Sequence, residues 1–331
     1  MKGIFRTKSI DALMDETKRD GGLEKVLGTF GLTMLGIGAI IGTGIFVLTG
    51  VAAANYSGPA LVISFIIAGI ACGCAALCYS EFAAMVPAAG SAYTYGYIAL
   101  GEFWAWIIGW DLILEYAFAI GTVSIGWSGY IVNIINDFGI NLPKAITSAP
   151  LAGGIINLPA VLIIAFITYI NVIGVKQSTT VNNIIVAIKL IVIFLFIALG
   201  VGHVNPANWH PFMPYGFGGV ISGASVIFFA YIGFDAVSTA AEEVKNPQKS
   251  LPRGIIISLI VCTLLYIVVS AILTGMVPYL KFKTTAAPVA FALQQVGYHW
   301  GAALISVGAI CGLTSVILVM MFGQTRVLFA M

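Results

Sequence analysis

A chain of 331 residues that is 60% hydrophobic and 8% charged, with a mean hydropathy of +1.04, has too few polar groups to cover a water-facing surface. Its net charge of +2 comes without a basic cluster, which argues against nucleic acid as a partner. The composition predicts an all-α polytopic membrane protein in contact with lipid.

Residues 1–25 mix six Lys and Arg with five Asp and Glu and contain no apolar h-region, so no cleavable signal peptide is expected and the first helix is the targeting element. Phe5, Ile10, Leu13 and Met14 are spaced for one helical face, predicting an amphipathic interfacial segment over 1–29 on the cytoplasmic side. Eight apolar runs of spanning length follow, at 30–54, 59–83, 102–135, 156–175, 180–202, 216–241, 254–277 and 300–328. None shows the period of two that a transmembrane barrel needs. Alternate loops carry ten Lys and Arg on the N-terminal side (six in residues 1–25, then Lys176, Lys245, Lys249 and Arg253). Three lie opposite (Lys144, Lys281 and Lys283), which predicts a cytoplasmic N-terminus.

The first run contains GIGAIIGTGIF at 36–46, four glycines and a threonine in a stretch with no charge from Val26 to Ser80. Small residues allow close helix packing in membranes. The alternative is an interrupted helix, and FFAYIGFDAVS at 228–238 interrupts the sixth run in the same way. Two interrupted segments five helices apart mark an inverted-repeat transporter, with its site between half-helices near the bilayer midplane. Unwound backbone at that depth is tolerated only where it lines a cavity or is buried in protein.

On the third run Asp111 and Glu115 stand one turn apart with Thr122 continuing the stripe, so this side is expected to face inward. Asp111 is read as a structural ion-pair residue near the inner interface. Glu115 and Tyr116 are pocket candidates, with Met321 on the eighth run. Lys189 is the only basic residue deep inside an apolar run, about ten residues from either helix end, too far for easy snorkelling. Burial disfavours the charged form of a lysine, which suits a group that exchanges a proton.

Cys72, Cys74, Cys78, Cys262 and Cys311 all fall in apolar runs and read as small hydrophobes, with no metal site expected. Glu242 and Glu243 are adjacent and point different ways on a helix, so they are not a catalytic pair. No nucleophile and base pair, phosphate loop or zinc spacing is present, and the protein is not read as an enzyme.

GIGAIIGTGIF, FFAYIGFDAVSTAAEEVKNPQKSLPRGI at 228–255 and FGQTRVLFAM at 322–331 resemble the bacterial cationic amino acid transporter branch of the amino acid–polyamine–organocation superfamily. The resemblance implies a five-plus-five inverted-repeat, LeuT-like fold with broken helices 1 and 6. Residues 30–202 would form the first repeat (helices 1–5) and 216–331 the start of the second (helices 6–8). Family members usually carry twelve helices, so the second repeat is incomplete and the sequence reads as a fragment or a truncated product.

The resemblance further implies that the substrate carboxylate meets the N–H groups around Gly42, Thr43 and Gly44, and its ammonium the carbonyls of Ile40, Phe229 and Ile232. Phe229 would be the gate over bound substrate. Lys189 would take the place of a sodium ion and couple transport to a proton, with no other cofactor. The expected function is proton-coupled symport of an L-amino acid across the plasma membrane. An exchanger or uniporter, with or without a small membrane subunit, is a second reading, and a non-transporting sensor or relic a third. A cationic substrate would want a carboxylate near its side chain, and Glu115 alone does not establish that preference.

Overall fold

The computed structural model describes residue 7 and residues 27–86, 90–173 and 179–331; the amphipathic segment with Phe5, Ile10, Leu13 and Met14 lies outside them, as does Lys176. All regular structure in the described residues is helical, apart from isolated bridges such as the parallel one between Leu27 and Val244.

The first apolar run begins as α1 (Thr29–Ile40), stops at residues 41–43, and resumes through a π-helical turn at Gly44–Leu48, an α-turn at Thr49–Ala52 and a second π-helical turn at Ala53–Ser57. Next come α2 (Leu61–Met85), α3 (Ser91–Ala99), the long α4 (Glu102–Asp137), α5 (Leu158–Ile173) and α6 (Thr179–Val201). The sixth run is α7 (Gly216–Phe228), a 3-10 turn at Phe229–Tyr231, an irregular stretch, and the short α8 (Ala236–Thr239). The chain continues with α9 (Pro247–Met276), α10 (Pro288–Gln295) and α11 (His299–Ala330).

Among the described residues, five helical stretches are long and apolar enough to cross a bilayer, and Thr29–Ile40, Leu158–Ile173 and Gly216–Tyr231 are shorter apolar pieces. Ile70, Phe118, Phe166, Phe194, Ile260 and Leu304 are exposed on the outside. In water they would form large apolar patches, whereas against lipid they cost nothing.

Both interruptions expected from the sequence are present as breaks. Two shorter helices, α3 and α10, were not anticipated, because each is short and moderately polar. The seventh helix starts seven residues before the expected residue 254. Pro247 sits in its first turn, where a missing N–H is harmless. Much of the expected 242–253 loop is therefore helix.

Packing explains why α1 lies at the centre. It contacts α9, α6 and α11, while α9 runs along α2 and α11 along α4. Gly36 allows this approach, since a Cβ there would meet Ser258 Oγ at 2.5 Å. The small residues thus serve close packing as well as the break.

Candidate functional site

A helix that stops inside a protein leaves its last carbonyls without intrahelical donors. In α1 the final ladder bond runs from the Ile41 N–H to the Ile37 carbonyl, so Gly38, Ala39, Ile40 and Ile41 are the open acceptors. Lys189, fully buried in α6, donates from Nζ to the Gly38 carbonyl at 2.7 Å and to that of Ile41 at 3.0 Å. A cation there also complements the negative end of the helix dipole.

The Tyr266 hydroxyl, on α9, lies 2.8 Å from the Ile40 carbonyl and 2.8 Å from the Ala230 carbonyl. One phenol proton serves one acceptor at a time, so this tyrosine ties the two breaks together and leaves one carbonyl for another donor.

Beyond the first break the ladder restarts with the Phe46 N–H on the Gly42 carbonyl at 3.3 Å. The amides just before it are first-turn groups, a positive helix end that suits an anion. At the second break Ile232 is extended (φ −53°, ψ 136°) and Gly233 takes φ +110°. A Cβ on Gly233 would also lie 3.0 Å from the Ala39 carbonyl, so this position requires glycine twice over.

Between the breaks lies a small cavity lined by Ala39, Ile40, Gly42, Thr43, Gly44, Ala119, Val123, Phe229, Ala230, Ile232, Val316 and Met320. First-turn amides, helix-end carbonyls and an apolar wall meet in one space.

The amino acid permease profile matches residues 27–331. The chain belongs to the amino acid permease family, whose members are transporters and not enzymes. It is 55% identical over its full length to a branched-chain amino acid permease of Bacillus subtilis (strain 168), covering 72% of that protein. It is 53% identical, again over its full length and 72% of the relative, to a methylthioribose transporter of the same organism. Identity to mouse cationic amino acid transporter 4 is 37%, over 96% of this chain and 51% of that one.

Of the residues singled out from the sequence, Ile40, Gly42, Thr43, Gly44, Phe229 and Ile232 are brought together on this permease cavity. Glu115, Tyr116 and Met321 are not part of its lining. Met321 is turned about 100° from Met320 and places its sulfur 3.5 Å from Thr168 Oγ1 on α5. It is Met320 that reaches the cavity. Tyr116 is fully buried but donates to Asp235 Oδ2 at 2.6 Å, away from the lining.

Asp111 departs from expectation too. It is exposed and forms no ion pair among the described residues, because the buried stripe of α4 runs through Ala105, Gly109, Leu112, Tyr116 and Ala119, one residue to its side. Glu115 is half-buried. Glu243 is not catalytic; it forms a salt bridge with Arg326 at 3.1 Å, joining the segment after α8 to α11. Among the described residues no group of three metal-ligating side chains occurs.

Sequence reasoning did not single out Asp235, Tyr266, Ala119, Val123 or Val316. Asp235 carried a usable signal, a lone carboxylate inside an apolar run. The others look like ordinary residues of apolar helices, and only the fold turns them toward the breaks.

Proposed function

We propose that the protein is a secondary active transporter that carries a neutral aliphatic L-amino acid across the plasma membrane in symport with a proton, by alternating access. The fold is read as LeuT-like, with residues 30–202 as the first five-helix repeat and 216–331 opening the second, and with a cytoplasmic N-terminus. The observation that carries this reading is the cavity bounded by both helix breaks. A zwitterion presents one carboxylate and one ammonium, and the breaks offer first-turn amides near Gly42 to Gly44 for the one and the carbonyls of Ile40, Phe229 and Ile232 for the other. Phe229, half-buried on the lining, serves as the lid.

The wall of Ala119, Val123, Ile232, Val316 and Met320 holds no ionisable group. A guanidinium or ammonium side chain would lose its hydration there with nothing to pair with. This favours a neutral substrate over the cationic one that the family resemblance left open, in keeping with the name of the branched-chain relative. Proton coupling is supported by the place of Lys189, whose charge caps the end of α1. Release of its proton would weaken that cap.

Competition binding on the full-length protein tests the assignment. Radiolabelled valine should be displaced by valine, isoleucine and leucine at least about tenfold more strongly than by arginine or lysine. Displacement by arginine alone, or by methylthioribose and not by valine, would contradict it.

A further inference from the structure

Helix α4 carries two fully buried tyrosines, Tyr116 and Tyr130. They stand about 21 Å apart along the axis, and about 40° short of four whole turns, so they face the same side. The Tyr116 hydroxyl donates to Asp235 Oδ2 at 2.6 Å, just past the second break. The Tyr130 hydroxyl donates to the Phe46 carbonyl at 2.6 Å, in the π-helical turn just past the first break. Ala119 and Val123, which wall the cavity, lie between them. One straight helix is thereby bonded to the outgoing half of each broken helix, at opposite ends of the same cavity.

The two bonds sit on different faces of the molecule. Asp235 precedes the segment whose Glu243 carbonyl accepts from the Leu27 N–H at 2.9 Å, which is the side of the N-terminal residues. Phe46 lies on the side of α10, where Gln294 Nε2 is 3.3 Å from Asp137 Oδ2 at the far end of α4. With both tyrosine bonds made, α4 is tied to the outgoing half of each broken helix.

We propose that Tyr116 and Tyr130 are paired gate latches, each holding one mouth of the cavity shut and each released when that mouth opens. This assignment rests on the alternating-access reading given above. The latches differ in chemistry. Tyr116 grips a carboxylate, a stronger acceptor than the carbonyl gripped by Tyr130. Phenylalanine keeps the ring and removes only the donor, so each variant subtracts one latch. A buried hydrogen bond of ordinary strength corresponds to about a threefold to tenfold change in a two-state ratio.

The test uses the full-length protein in lipid nanodiscs, with native cysteines replaced and spin-label pairs at exposed positions. Glu102 with Lys249 reports the N-terminal mouth, and Phe138 with Leu280 the α10 mouth. Tyr116→Phe should raise the open fraction of the first pair about threefold to tenfold and lower that of the second, and Tyr130→Phe should do the reverse. Asp235→Asn and Gln294→Ala, the second variant at each end, should follow Tyr116→Phe and Tyr130→Phe respectively, with smaller shifts. A merely structural role for the hydroxyls would move both pairs alike. Shifts in the same direction, or none in either pair while the wild type responds to valine, overturn the latch assignment. A wild type whose pairs respond to no amino acid contradicts the alternating-access reading itself.

Discussion

The Lys189 ammonium lies 2.7 Å from the Gly38 carbonyl, where α1 runs out of its own hydrogen-bond donors. The contact links a charge on α6 to the helix end that borders the cavity, so a change in that charge is felt at the cavity. Gly312 on α11 makes room for the lysine; a Cβ there would be 3.2 Å from Lys189 Cε.

Lys189→Ala is therefore expected to abolish accumulation driven by a pH gradient. It strands two buried carbonyls, at about 1–3 kcal/mol each, so thermal stability should fall as well. Valine binding should survive within about tenfold, since the amides near Gly42 to Gly44 are untouched. Gradient-driven uptake and equilibrium binding, measured on the same preparation, check the separation.

Gly44→Val should lower substrate affinity at least about tenfold while leaving membrane insertion intact. The cause is close packing between the breaks: a Cβ on Gly44 would stand 2.5 Å from Ala230 Cβ and 2.8 Å from Tyr266 Oη. A branched side chain there pushes the two broken helices apart. Scintillation proximity binding against the wild type measures the loss.

Val316→Ala should shift preference toward larger side chains. Val316 lines the cavity and lies against Gly42, with its Cγ2 2.9 Å from where a Cβ on that glycine would be. Removing its two methyl groups opens room for about one or two methylenes, each worth roughly 1–3 kcal/mol of discrimination in an apolar pocket. Leucine and methionine should gain on valine by tenfold or more in competition binding.

Single cysteines at Lys249 and Lys281, in a background without the native ones, should react with an impermeant thiol reagent from opposite sides, Lys249 from the cytoplasm. Both positions are exposed. Labelling of both from outside would contradict the orientation.

The helical class and both helix breaks were legible in the sequence because charge-free apolar runs and mid-run glycines act locally. Six positions, from Ile40 to Ile232, came from the family resemblance rather than from the local pattern, and the structure brings them to one cavity. The side-chain wall was not legible, because it depends on which face of α4 and α11 turns inward. One residue of register separates Met321 from Met320, and Asp111 from the buried Leu112. Tyr266 and Tyr130 left no trace in the pattern, since their partners are backbone carbonyls 226 and 84 residues away in sequence.

Uptake of radiolabelled valine by the full-length protein in proteoliposomes, under an imposed inward proton gradient with and without sodium, tests the central claim most directly. The account predicts accumulation that requires the gradient, proceeds without sodium and collapses when a protonophore is added. Accumulation that requires sodium, or valine entry no faster than in protein-free vesicles, would contradict it.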